Sequence, residues 1–510
     1  MHEDEEEEDS CTGAQSTQQH GDFYVNEQHH VLHKSVGLLR AVALVTGAVI
    51  GAGIFTTPKN VLAHAGSPGM ALAVWFGCGI FTLLGVLCYA ELGLMVPKSG
   101  GQYQYLRLAF GPLSSFMFLW SELWMRRPLK QAIVALTIAR YSTLFHYWQC
   151  VAPPAPCSER MVALCCVWAI VAINSYSVHW TCNLESASFY CKCVALGAII
   201  IFGCVHLAQE PLNFLTQGQA FEGTSREIGS ISTALYWGLY AYSGWETLNF
   251  ATEELKNPKK NLPRALLISM CLVTALFVLT NLAYMLVLPQ QELLDTGVVA
   301  MAFARQTMGA FAAVMPLLVI LSLMGSLNGN IFMGGRVYFA GARDGHQLPE
   351  LLAMVSVGRI TPLPALLLNG MMASLMILFS VGDIDYLHRS YGCWRWIMVA
   401  GGAICQIYLR IKRPDLPRPF KVPMMVPVLF LLVCGYLILV PVILEPQLLV
   451  VGICIHLLGI PVYYATVIGR GRLFLQGATR KWTLLLQKVL LVALTDSKMP
   501  GLKRHRHKKS

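Results

Sequence analysis

Twelve apolar runs, each near or above the ~17 residues that a helix needs to cross a hydrocarbon core, decide what this chain can fold into. They occupy 36–55, 70–95, 112–144, 161–177, 189–207, 231–251, 265–288, 311–332, 363–381, 386–409, 424–444 and 448–468. In lipid, backbone groups must bond to one another, so runs of this length predict transmembrane helices. The run at 112–144 is longer than one span requires and is expected to lie tilted. Charge supports the same class. Only 13% of residues are charged, against roughly 25% in soluble domains, and the surface that water does not wet must face the bilayer. The first 33 residues are polar, open with the acidic run 3–9 and contain no apolar stretch of signal-peptide type. The expected organisation is a disordered acidic cytosolic tail (1–33), a twelve-helix domain (34–469) and a basic cytosolic tail (470–510).

Lys and Arg set the orientation. Counting from a cytosolic N-terminus, the inner loops hold Lys98 and Arg107, then Lys256, Lys259, Lys260 and Arg264, then Arg336, Arg343 and Arg359, then Arg410, Lys412, Arg413, Arg418 and Lys421. The outer loops are poorer in basic residues, which predicts twelve spans with both termini inside. The net charge of +10 does not indicate nucleic acid, because the basic residues cluster at span ends. The 16 cysteines sit mostly within apolar runs, and no C-x-x-C spacing occurs, so no metal or redox centre is expected. No nucleophile–base pair or nucleotide-binding loop stands out, which excludes an enzyme and calls for no cofactor.

Two spans contain the chemistry. The first reads Thr46-Gly47-Ala48-Val49-Ile50-Gly51-Ala52-Gly53-Ile54-Phe55. Each interior Gly costs a helix about 1 kcal/mol, so this span is expected to unwind. Unwound backbone in a membrane must line a cavity or bind something. Its freed N–H groups suit a carboxylate and its freed carbonyls an ammonium, the two charges of a free amino acid. The sixth span, Gly238-Leu239-Tyr240-Ala241-Tyr242-Ser243-Gly244-Trp245, is its counterpart if five-helix halves repeat. Basic residues inside spans are the more selective signal: Arg126, Arg127 and Lys130 in the third, Lys192 in the fifth and Arg395 in the tenth. Intramembrane carboxylates are few, Glu91 and Glu122 among them, so a positive surplus suited to an anionic substrate is expected. Arg126 and Lys130 are read as snorkelling to an interface. Lys192 is read as a fixed ammonium standing where ion-driven relatives bind sodium, which implies exchange instead of sodium coupling.

These strings, together with Tyr89-Ala90-Glu91-Leu92-Gly93, Lys98-Ser99-Gly100-Gly101, Arg127-Pro128, Asn174-Ser175-Tyr176-Ser177-Val178, Asn249-Phe250-Ala251-Thr252-Glu253-Glu254, Gly345-His346-Gln347-Leu348-Pro349 and Arg418-Pro419-Phe420-Lys421-Val422-Pro423, resemble the amino acid–polyamine–organocation superfamily. The closer resemblance is to the light chains of heteromeric amino-acid transporters, over about 34–464, and among those to the cystine/glutamate exchanger, through Ala52, Arg127-Pro128 and above all Arg395. The resemblance implies a LeuT-like all-α membrane protein: an inverted five-helix repeat plus two helices, with discontinuous helices 1 and 6. It implies a plasma-membrane, sodium-independent antiporter exchanging extracellular cystine for intracellular glutamate. Neutral or cationic amino acids, or a transport-inactive receptor or scaffold, are the alternatives. By the same resemblance Ile50, Gly51, Ala52 and Gly53 hold the substrate's α-carboxylate and α-amine, Tyr240, Ala241, Ser243 and Gly244 form the facing wall, and Arg127, Lys192 and Arg395 tune it toward anions. It also implies a disulfide through Cys150, or Cys157 as second candidate, to a glycosylated single-span heavy chain. The chain itself contains no Asn-x-Ser/Thr sequon.

Overall fold

Ser67 shows how the chain punctuates its helices. Its side chain accepts the Met70 N–H at 3.3 Å, capping a helix whose first residue is Pro68, and Gly66 in front of it turns the chain at φ 81°. The computed structural model describes residues 36–494 except 97–99, 147–155, 210–218, 251, 253–254, 346–347, 360, 380–383, 445 and 469–482. Every one of the twelve apolar runs carries helix. In chain order the helices are α1 (Leu38–Val49), α2 (Gly53–Thr56), α3 (Pro58–Ala65), α4 (Pro68–Met95), α5 (Gln102–Phe110), α6 (Pro112–Ser121), α7 (Arg127–His146), α8 (Pro156–Tyr176) and α9 (Val178–Gln209). They continue as α10 (Ile228–Ala241), α11 (Thr247–Phe250), α12 (Pro258–Val287), α13 (Gln290–Asp295), α14 (Val299–Thr307), α15 (Val314–Gly345), α16 (Leu363–Phe379), α17 (Ile384–Lys412), α18 (Met425–Leu444) and α19 (Pro446–Thr466).

Among the described residues six helices are long and apolar enough to cross a membrane by length and composition, and three shorter apolar helices accompany them. The protein is therefore an all-helical, multi-span membrane protein. Helix α15 packs on α9, α7 and α16, while α12 packs on α4, α1 and α9. Small residues allow these approaches: Gly325 of α15 lies directly against Ser188 of α9, and Gly203 of α9 against Ala283 of α12.

The run expected to be one tilted helix is interrupted. Between α6 and α7 stands a π-helical turn, Glu122–Arg126, which gathers Glu122, Arg126 and Arg127. Such turns admit an extra residue into a helix and recur at functional sites. The C-terminal region also departs from a plain tail: Val492–Leu494 pairs antiparallel with Met354–Ser356.

Two of the motif strings, more than 300 residues apart in sequence, meet at one end of the bundle. Glu91 of α4 receives Arg410 of α17 through Nε at 2.8 Å and again through Nη2, and it accepts the Val422 N–H at 3.0 Å. Arg410 also donates to the Val422 carbonyl at 2.7 Å. Arg418 folds the same Pro-rich loop by donating to the carbonyls of Leu409, Arg413, Pro414 and Leu416.

Candidate functional site

The first span breaks where its glycines cluster. Helix α1 stops at Val49 and α2 starts at Gly53, leaving Ile50, Gly51 and Ala52 between helices. As first residues of α2, Gly53 and Ile54 have N–H groups without an intrahelical acceptor. The sixth span breaks likewise between Ala241 and Thr247, with Gly244 at φ 114°. The two breaks touch. A Cβ on Gly244 would stand 2.6 Å from the Ala48 carbonyl oxygen, and one on Gly53 would overlap the Ala241 Cα.

A cavity of about 800 Å³ opens beside them. Its wall includes Gly51, Ala52, Gly53, Arg127, Lys192, Tyr240, Ala241, Ser243 and Gly244, so nine of the eleven expected site residues converge on one space. Two differ. Ile50 lies in the break, but its side chain is buried and off the wall. Arg395 is 1% exposed and stands behind Glu246, outside the wall. The cavity extends from the breaks along α1 to Arg40 and Leu44 and along α9 to Cys182 and Tyr190, all exposed residues.

Lys192 donates to the Gly47 carbonyl at 3.0 Å. That carbonyl belongs to the last turn of α1, whose oxygens have no helical partner and carry the negative end of the helix dipole. The ammonium therefore stands at the C-terminal end of the helix that precedes the break, not at the unwound residues 50–52. The polar wall continues through α9 and α15: Asn328 donates to the Thr181 carbonyl at 3.1 Å and to Glu185 at 3.3 Å, and accepts from Asn174 at 2.8 Å.

One expectation needs correction. Arg126 and Lys130 do not snorkel; both line the cavity. Carboxylates counter part of the cationic cluster. Glu246, in the break of the sixth span, binds Arg395 at 2.9 Å and Arg126 at 3.1 Å. Glu122 binds Arg126, and it holds Arg127 at 2.8 Å. Buried charges of one sign are too costly to stand together in a membrane interior, so each guanidinium has found a carboxylate. Helix α9 begins at Val178, ahead of the expected fifth span, and brings Glu185 to the wall. The tally around the cavity is six basic groups (Arg40, Arg126, Arg127, Lys130, Lys192, Arg395) to three carboxylates (Glu122, Glu185, Glu246), a surplus of three.

Sequence reasoning overlooked Glu246, whose signal was a lone carboxylate at the helix-breaking Gly-Trp. It also left His388 and Tyr391 without a place. The Tyr240 ring sits against both, with centroids 4.3 and 5.5 Å away. The Tyr240 and Tyr391 hydroxyls are buried without a hydrogen-bond partner among the described residues. Cys157 is exposed at the start of α8, and Cys150 lies outside the described residues.

The amino acid permease family matches residues 36–467. The chain is 41% identical over 445 residues to the large neutral amino acids transporter small subunit 2 of Mus musculus, covering 86% of this chain and 81% of that protein. It is 39% identical over 438 residues to the cystine/glutamate transporter of Homo sapiens, covering 86% of each. With the b(0,+)-type amino acid transporter 1 of Mus musculus it shares 40% identity over 415 residues, 81% of this chain and 84% of that protein.

Proposed function

The chain belongs to the amino acid permease family, among the light chains of heteromeric amino-acid transporters, and from that premise we propose that it is a sodium-independent antiporter exchanging extracellular cystine for intracellular glutamate. The observation that carries this reading is the surplus of three positive charges around a cavity built on two abutting helix breaks. Each break offers unpaired backbone groups to an α-carboxylate or α-ammonium. A surplus of positive charge beside them favours a substrate with a further carboxylate, which glutamate and cystine both have. Lys192 on the Gly47 carbonyl supports exchange, because a permanent cation there makes a carried sodium unnecessary.

In this reading the chain spans the plasma membrane twelve times, as two inverted five-helix repeats plus two helices, with both termini cytosolic. The cavity, extending toward the N-terminal end of α1, is then the inward-open arm of an alternating-access cycle. A glycosylated heavy chain is linked through Cys150, with Cys157 the alternative. Co-expression with such a chain and electrophoresis without reductant tests the link: Cys150→Ser is expected to abolish the covalent complex and Cys157→Ser to preserve it.

One observation favours a second reading, exchange of neutral or cationic amino acids: Glu246 occupies Arg126 and Arg395, which removes two guanidiniums from contact with a substrate. Uptake of labelled cystine by proteoliposomes of the purified protein, without sodium and preloaded with glutamate or with leucine, separates the two. Uptake driven by internal glutamate alone is the expected result. Uptake driven by leucine alone would replace the substrate assignment with the second reading.

A further inference from the structure

Among the described residues around the two helix breaks, away from Arg40 at the exposed mouth, the ion pairs leave one cation unspent. Arg126 is held by Glu122 and Glu246, Arg127 by Glu122, and Arg395 by Glu246. Lys192 is bonded to the Gly47 carbonyl. Lys130, one helical turn beyond Arg126 on α7, lines the cavity with no ion pair or hydrogen bond among the described residues. It lies within electrostatic reach of Glu246, Tyr391, Arg126 and Arg395. On the same wall stand two buried hydroxyls that can bond a ligand. Tyr391 and Tyr240 line the same cavity, are 0% and 5% exposed, and have hydroxyls with no hydrogen-bond partner among the described residues. A buried hydroxyl left unpaired is destabilising, and a bound acceptor relieves that cost.

We propose that Lys130, with the Tyr391 hydroxyl, receives a carboxylate on the substrate's side chain, and that Glu246 is an internal carboxylate that keeps Arg126 and Arg395 from doing so. The inference deepens the exchanger reading and rests on it. It moves the specificity contact from Arg395, which Glu246 covers, to Lys130. It makes Glu246 a positioning residue that limits how tightly an anion is held, so that substrate leaves as readily as it enters. The α-carboxylate and α-ammonium remain at the helix breaks.

The test uses the purified full-length chain in sodium-free proteoliposomes preloaded with unlabelled glutamate, and measures KM for labelled glutamate and for its neutral isostere glutamine. Wild-type protein that exchanges neither overturns the glutamate-exchange reading before any variant is compared, and wild type that does not prefer glutamate to glutamine overturns the assignment of Lys130. If wild type prefers glutamate, Lys130→Met is expected to raise KM for glutamate at least tenfold more than for glutamine, and Lys130→Arg to restore most of the preference. Glu246→Gln is expected to lower KM for glutamate several-fold and to slow turnover, because two guanidiniums become available. An unchanged glutamate-to-glutamine ratio in Lys130→Met, or a raised glutamate KM in Glu246→Gln, overturns the assignment. Where a variant is too slow to transport, stabilisation of the detergent-purified protein against heat by glutamate relative to glutamine reads the same preference. A preference retained in Lys130→Met overturns the proposal there as well.

Discussion

Gly244 holds its backbone at φ 114°, with the Ala48 carbonyl oxygen 2.6 Å from where a Cβ would stand. Substitution by Ala combines a strained backbone, about 1–3 kcal/mol, with a clash that prises the two helix breaks apart. Gly244→Ala is expected to lower the melting temperature in detergent by several degrees and to cut exchange at least tenfold. Gly77, in the middle of α4 with nothing within 4 Å of its would-be Cβ, is the contrast. There Ala improves helix propensity by about 1 kcal/mol, and Gly77→Ala is expected to leave exchange intact. Lys192 extends the argument to charge. Its ammonium is the partner of the Gly47 carbonyl at the end of α1. Lys192→Met is expected to reduce sodium-free exchange about tenfold or more, with Lys192→Arg retaining part of it, measured as initial rates in proteoliposomes. Glu246 shows why single residues misled the sequence reading. A carboxylate counted by position contributes one charge, whereas in the fold it sits between Arg126 and Arg395 and cancels part of both.

At the scale of elements, breaks and turns matter more than helix count. The glycine clusters of the first and sixth spans announced the breaks, because Gly weakens a helix wherever it stands. The π-helical turn at Glu122–Arg126 had no comparable marker. It arises where α6 and α7 pack against their neighbours and the guanidiniums turn inward to Glu122 and Glu246, and tertiary contacts select it. The clamp of Glu91, Arg410 and Val422 is similar: two strings that read as separate motifs form one buried contact between α4, α17 and the loop after it. Arg410→Ala strands a carboxylate that is 1% exposed, and removing one member of a buried pair typically costs about 3–5 kcal/mol. A clear fall in melting temperature is expected. The double variant Glu91→Gln/Arg410→Met is expected to lose less than the two single losses together, as coupled neighbours do.

At the scale of the molecule, the cavity joins the breaks to the exposed ends of α1 and α9, and a native thiol stands at that mouth. Cys182 is exposed and on the wall, whereas Cys204, on the same helix, is exposed but off it. A membrane-impermeant maleimide applied to open membrane fragments is expected to modify Cys182 and to spare Cys204, which lies in an apolar stretch off the cavity wall. Saturating substrate is expected to slow the Cys182 reaction several-fold, with both read by peptide mass spectrometry. Equal modification of the two thiols would place the mouth elsewhere.

What the sequence determined by itself was the class, the helical runs, the two weak points in them and the type of charge that belongs inside. Each of these is a local property: hydropathy over about twenty residues, glycine in a helix interior, a basic residue without water. Nine of the eleven expected site residues lie on the cavity wall, because those belong to the two breaks or to charges that a membrane tolerates only around a cavity. The tertiary structure alone decided which charges remain available. Glu246, Glu122 and Arg395 are 120 or more residues apart in part of that network, and the sign and strength of a buried charge's field depend on neighbours a few ångströms away in space, not on its place along the chain. So the resemblance of Arg395 to an anion-selecting residue was legible, but its pairing with Glu246, and the freedom this leaves to Lys130, were not.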